Sequence, residues 1–188
     1  MLFRSGTATF PDKNVGTART VTASGITLTG TDAGNYTQNT TATTTANITA
    51  RSLAVTITAS NKTYDSSTAA SVTYADNRIA GDLFTVSGTA TFATKTIGTG
   101  KTVTATGITL TGTDAGNYTQ NTTTTASANI ISRSLSVTAT AANKTYDRTT
   151  AASVSLSDNR VSGDTVSVTY STSTFADKTV GTGKTVTV

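Results

Sequence analysis

Gly107-Ile108-Thr109-Leu110-Thr111-Gly112-Thr113-Asp114-Ala115-Gly116-Asn117-Tyr118-Thr119-Gln120-Asn121 repeats, letter for letter, the stretch from Gly25 to Asn39. The same shift of 82 residues carries Asn61-Lys62-Thr63-Tyr64-Asp65 onto Asn143-Lys144-Thr145-Tyr146-Asp147, and Asp76-Asn77-Arg78 onto Asp158-Asn159-Arg160. Self-similarity at a fixed period marks structural units copied in line. Further on the shift becomes 83, because Gly98-Thr99-Gly100-Lys101 matches Gly181-Thr182-Gly183-Lys184. One residue is therefore inserted between Gly163 and Phe175, in a loop or bulge. The phase divides the chain into the C-terminal half of a repeat (1–52), a complete repeat (53–134) and the N-terminal half of another (135–188). Neither end is atypical, as a capping unit would be, so the chain reads as part of a longer array, truncated at both ends.

Within the complete copy, apolar residues alternate with polar ones, the period of a half-buried strand. Leu53, Val55, Ile57 and Ala59 share one face, and Leu135, Val137 and Ala139 repeat it. Short strands follow at Val72 and Tyr74, at Phe84 and Val86, and at Ala90 and Phe92, with a last one at Ala126, Ala128 and Ile130. A longer strand holds Val103 and Ala105 in one phase and Ile108 and Leu110 in the other, the phase flipping at Gly107. A one-residue flip sends half the apolar set to the wrong face unless a bulge absorbs it, which glycine does most cheaply, so Gly107 and its twin Gly25 are expected at bulges. Ser132-Arg133-Ser134 reads as a very short linker between copies.

Composition agrees with strands. Roughly a quarter of the 188 residues are threonine, and glutamate, histidine, cysteine and tryptophan are absent. Branched side chains fit a pleated surface better than a helix. The acidic residues are all aspartate, a turn former whose side chain bonds nearby backbone. The net charge is +4, but lysines and arginines stand singly, so no nucleic-acid interface is expected. No apolar run reaches membrane-spanning length, and the start, Met1-Leu2-Phe3-Arg4, lacks a long apolar stretch.

The fold class these signals give is all-β, as tandem small antiparallel β-sandwich repeats. Asp114-Ala115-Gly116-Asn117-Tyr118, with its twin Asp32, Gly34 and Tyr36, is similar to the Asp-x-Gly-x-Tyr element of immunoglobulin-like domains, in which the tyrosine hydroxyl bonds back to upstream backbone and pins a corner between sheets.

Asn-Lys-Thr-Tyr-Asp, Gly81-Asp82, the Gly-Thr-Gly-Lys-Thr-Val-Thr of residues 98–104 and Asp-Ala-Gly-Asn-Tyr together resemble the YDG-type repeat. The resemblance covers essentially the whole chain. It implies the setting of very large bacterial adhesins and filamentous-haemagglutinin-like exoproteins, where tandem copies build a stalk at the cell surface or on a secreted protein. One departure is informative. The glycine of Tyr-Asp-Gly is Ser66 after Tyr64-Asp65, and Arg148 after Tyr146-Asp147, so a positive φ there would strain both residues.

No catalytic or cofactor-binding residue is expected. General acid–base work needs a group titrating near neutrality or a carboxylate pair, and the aspartates are spread one per loop. Calcium is the metal to consider, through Asp76 with Asp82 and Asp158 with Asp164, although neither pair has the spacing of a calcium loop. Gly98-Thr99-Gly100-Lys101-Thr102 lacks phosphate-loop spacing and reads as a hairpin turn. Tyr64 and Tyr146 read as structural, with hydroxyls bonded locally. The expected function is a stalk or spacer whose partners are neighbouring repeats of the same chain. The alternative is binding of a glycan, or of a host or abiotic surface such as ice, through exposed threonine and tyrosine. Unpaired strand edges in the two half-copies are expected to associate head to tail between molecules.

Overall fold

The structure, a computed structural model, describes residues 7–188; the Met1-Leu2-Phe3-Arg4 start lies outside them. The regular structure of the described residues is strand, apart from two single-turn 3-10 helices at Ala33–Asn35 and Ala115–Asn117. No helix among them is long and apolar enough to cross a membrane. The first half-copy supplies β1 (Gly16–Ser24) and β2 (Thr41–Ile48). The complete copy begins with β3 (Arg51–Leu53), β4 (Val55–Ala59), β5 (Lys62–Thr63) and β6 (Val72–Asp76). It continues through β7 (Thr85–Phe92), β8 (Gly98–Thr111), β9 (Tyr118–Gln120) and β10 (Thr123–Ile131). The last half-copy carries β11 (Val137–Ala141), β12 (Val154–Asp158), β13 (Thr174–Phe175) and β14 (Val186–Thr187).

Two compact units divide these elements. The first comprises the described part of Met1–Ser60, with Ala69–Phe92 and Thr102–Ser127; the second comprises Asn61–Thr68, Ala93–Lys101 and Ala128–Val188. Each unit thus contains residues of two successive copies.

Antiparallel pairing joins β1 to β2, β4 to β6, β7 to β8, β11 to β12 and β13 to β14. Two short pairings run parallel instead: β3 with β9 (Arg51 opposite Tyr118) and β5 with β10 (Lys62 opposite Ile130). The wholly antiparallel arrangement expected from the sequence is corrected at those places. Side-chain period reports which face a residue occupies and carries no information on strand direction. The four-stranded sheet has the order β5-β10-β8-β7.

The core of the first unit is the alternating set read from the sequence. Leu53, Val55, Ile57, Phe84, Ala90, Phe92, Val103, Ala105, Ile108 and Tyr118 are buried. The phase flip of β8 sits at Gly107, whose φ is +62°, and the β7–β8 register slips between Ser87 and Thr89. Because the bulge absorbs one residue, Val103, Ala105 and Ile108 all face inward. Gly25 takes the same conformation, at φ +68°. The separate short strands expected at Phe84–Val86 and Ala90–Phe92 are one strand, β7, carried through the same irregularity. Gly98-Thr99-Gly100-Lys101 is also not a turn: β8 starts at Gly98, and the Gly100 amide donates to Asn129 Oδ1 at 2.8 Å.

In the second unit Ala128 and Ile130 are buried, whereas Leu135 and Val137, equivalents of Leu53 and Val55, are more than 40% exposed. At the repeat shift, the residues equivalent to Ile108 and Tyr118 would fall beyond Val188.

Candidate functional site: a charged corner between copies

Asp114 heads the 3-10 turn Ala115–Asn117, and Tyr118 leaves that turn in extended conformation to start β9. Asp32 and Tyr36 have the same backbone angles to within a few degrees, so fifteen identical residues encode the turn locally. Gly112 begins it at φ +142°, where a Cβ would lie 2.6 Å from both Leu83 O and Phe84 Cα. This close approach lets the Asp114 amide donate to Leu83 O (3.2 Å) and the Leu83 amide donate to Asp114 Oδ2 (2.9 Å).

Tyr118 fills the corner so formed. Its ring lies 5.0 Å from that of Phe84 at a tilt of 54°, and the Arg78 guanidinium sits 3.9 Å from the Phe84 ring centre. The Tyr118 hydroxyl accepts from the Ile79 amide (3.0 Å) and donates to Asp82 Oδ2 (2.6 Å). Its partner is upstream backbone, as in an immunoglobulin-type corner, but the backbone lies 39 residues away in the loop after β6. Burial and the Asp82 carboxylate together raise the Tyr118 hydroxyl above its ordinary pKa. Arg78 holds Asp76 through two bonds of 2.9 and 2.6 Å and donates to Phe84 O at 2.6 Å.

The remaining partner comes from the preceding copy. Lys13 Nζ lies 2.7 Å from Asp82 Oδ1 and 2.7 Å from Asp114 Oδ1. Next to it the Val15 amide donates to Asn117 Oδ1 at 2.9 Å. The two carboxylates raise Lys13 above the ordinary lysine range, Asp114 contributing most. Lys13 in turn holds Asp82 and Asp114 below the ordinary aspartate value, assisted by Tyr118 at Asp82 and by the Leu83 amide at Asp114. One solvent-exposed cation thus joins two largely covered acids that would otherwise repel each other.

The second unit uses the equivalent acid differently. Asp164 Oδ1 accepts from the Tyr64 hydroxyl at 2.9 Å, so Tyr64 bonds across copies and not locally as its turn suggested. In that turn Asp65 accepts from the Ser67 amide (2.9 Å) and pairs with Lys62 (2.7 Å), which lowers it to about 2, Lys62 being the main cause. Asp147 repeats the arrangement with Lys144 (2.8 Å) and is also lowered to about 2, while Tyr146 is exposed. Ser66 and Arg148 sit at φ +65° and +69°, the left-handed region the missing glycine would occupy freely. Ala18 shares this condition at φ +49°, where its equivalents are Gly100 and Gly183.

The acids considered for calcium are engaged by cations and donors of the chain itself. Asp76 and Asp158 are taken by Arg78 and Arg160, Asp82 by Lys13 and Tyr118, and Asp164 by Tyr64. Among the described residues no three acidic, histidine or cysteine side chains group as metal ligands. Lys13 was not singled out by sequence reasoning. The signal lay in its recurrence as Lys95 and Lys178 in the Phe-x-x-Lys stretch of each copy.

The strands, the shared corner and the repeated sequence define an all-β protein assembled from copies of one threonine-rich unit. The chain belongs to the YDG domain family, whose model matches residues 1–46, 49–126 and 131–188. No curated protein and no solved structure matches it.

Proposed function

We propose that the chain is a spacer segment of a large bacterial surface or secreted adhesin, in which YDG copies, each an immunoglobulin-like sandwich, lock to their neighbours and carry a binding region away from the cell. The observation that carries this reading is the exchange of side chains between copies at the Gly-Asp acid. Asp82 takes Lys13 from the copy before it, and Asp164 takes Tyr64 from the copy before it. A repeat joined to its neighbour by specific charged bonds passes load and orientation along the array, as a spacer requires. The chemistry of these residues serves cohesion, and the proposal assigns the chain no reaction.

Antibodies raised against the chain test the reading on the bacterium that encodes it. They should label intact cells or culture medium, and brief external protease should remove the cell-bound signal. Labelling confined to permeabilised cells contradicts the proposal. Specific retention of the isolated chain on a glycan array or on ice would instead favour the repeats as the binding element.

A further inference from the structure

We propose that the complete copy is built as a mechanical clamp, in which the strand that enters the copy and the strand that leaves it pair in parallel, so that tension along the chain loads their bonds in shear. The proposal rests on the spacer reading for the tension the copy meets; the clamp itself is a property of the folded chain.

In the first unit the entering strand is β3 and the leaving strand is β9. They pair in parallel at Arg51–Tyr118, Ser52–Thr119 and Leu53–Gln120. Past that ladder the chain moves off to form β4, which pairs with β6, and the Asn121 side chain takes over as partner. Its Oδ1 accepts from the Val55 amide at 2.8 Å and its Nδ2 donates to Val55 O at 3.1 Å, so both main-chain groups of Val55 stay tied to the leaving strand. Leu53 and Val55 are buried, which keeps out the water that would compete for these bonds as they open.

The second unit repeats the arrangement with other residues. β5 and β10 pair in parallel at Lys62–Ile130 and Thr63–Ile131, and the Tyr64 amide donates to Ile131 O at 2.9 Å. An asparagine again extends the ladder, since the Asn129 amide donates to Asn61 Oδ1 at 2.7 Å. Ile130 is buried there.

Strand direction decides how such bonds yield. Tension draws the entering strand toward its N-terminal end and the leaving strand toward its C-terminal end. An antiparallel pair would be drawn from one shared end and would peel apart bond by bond. Parallel strands are drawn from opposite ends and must slide, so the evenly spaced bonds of the ladder carry the tension together.

Single-molecule force spectroscopy on the full chain tests this, because the sequence holds no cysteine and two introduced ones fix where tension enters. Ala50→Cys with Thr122→Cys pulls β3 and β9 from opposite ends, whereas Ala50→Cys with Gly116→Cys pulls them from the same end. All three positions are exposed. At one loading rate the rupture force should be about threefold higher in the opposite-end geometry, since the three paired residues and Asn121 hold together and not in turn. Asn121→Ala should lower the opposite-end force by about a third and leave the same-end force unchanged, because there the Arg51–Tyr118 end yields first. A general loss of stability would lower both. Equal forces in the two geometries overturn the proposal, and so does an Asn121→Ala loss that is absent from the opposite-end pull or the same in both. The comparison of geometries keeps Asn121 and decides the matter even if Asn121→Ala does not fold. Labelling confined to permeabilised cells would refute the spacer reading and leave these forces as they are, so the two failures are told apart.

Discussion

Leu53 and Leu135 occupy the same place in the repeat, but the structure gives them different weights: 1% exposed against 42%. Leu53→Ala removes three carbons from a filled core, about 2.4 kcal/mol of transfer free energy, and the cavity left behind brings the cost to about 3 kcal/mol. Leu135→Ala removes the same atoms from a face that already meets water, about 1 kcal/mol with no cavity. A unit of the first unit's size has a total stability of about 5–16 kcal/mol, so the first change removes about a fifth or more of it. Urea titration followed by resolved methyl signals suits a chain of two units, because a single global transition cannot be assumed. Ile108 reports the first unit and Leu156 the second. With a slope near 1 kcal/mol per molar urea, Leu53→Ala should lower the Ile108 midpoint by about 3 M, and Leu135→Ala should lower the Leu156 midpoint by about 1 M or less. Equal shifts would refute the claim that Leu53 is packed in a filled core and Leu135 is not.

Ser66→Gly and Arg148→Gly should each stabilise the chain by about 0.5–1 kcal/mol, because relief of left-handed strain exceeds the entropy glycine adds to the unfolded chain; calorimetry should show a rise of a few degrees. Gly112→Ala should cost about 2 kcal/mol or more in thermal unfolding, since its Cβ meets backbone, while Gly116→Ala, with open space around it, should be near neutral. Acid should weaken the fold in a defined window. Asp65, Asp147 and Asp158 have folded values of about 2, below the ordinary 3.8, so their ion pairs contribute fully above about pH 4 and are lost as pH falls toward 2. Lys13 is shifted the other way, so its contribution is complete below 10.5 and fades only at higher pH. Urea midpoints should therefore be flat from about pH 5 to 9 and fall between 4 and 2.

Much of the strand content was legible because burial imposes alternation, and the bulge at Gly107 because Val103 and Ile108 cannot both face inward without it. The strained turns were legible at Ser66 and Arg148, where a side chain stands in a glycine position. The contacts between copies were not. Lys13 meets Asp82 across 69 residues, and nothing within either loop specifies the other. Tyr64 looked local for the same reason, its turn being complete without Asp164. The parallel pairs at Arg51–Tyr118 and Lys62–Ile130 were hidden too, since they involve two or three residues each and a short strand reads alike in either direction.

The claim that neighbouring copies hold one another at the Gly-Asp corner is tested most directly by a double-mutant cycle on Lys13→Ala and Asp114→Asn, read as the unfolding midpoint of the first unit. Lys13→Ala should lower the midpoint clearly in the wild-type background and much less once Asp114 is neutral. Equal losses in the two backgrounds would mean that the lysine of one copy does not grip the acids of the next.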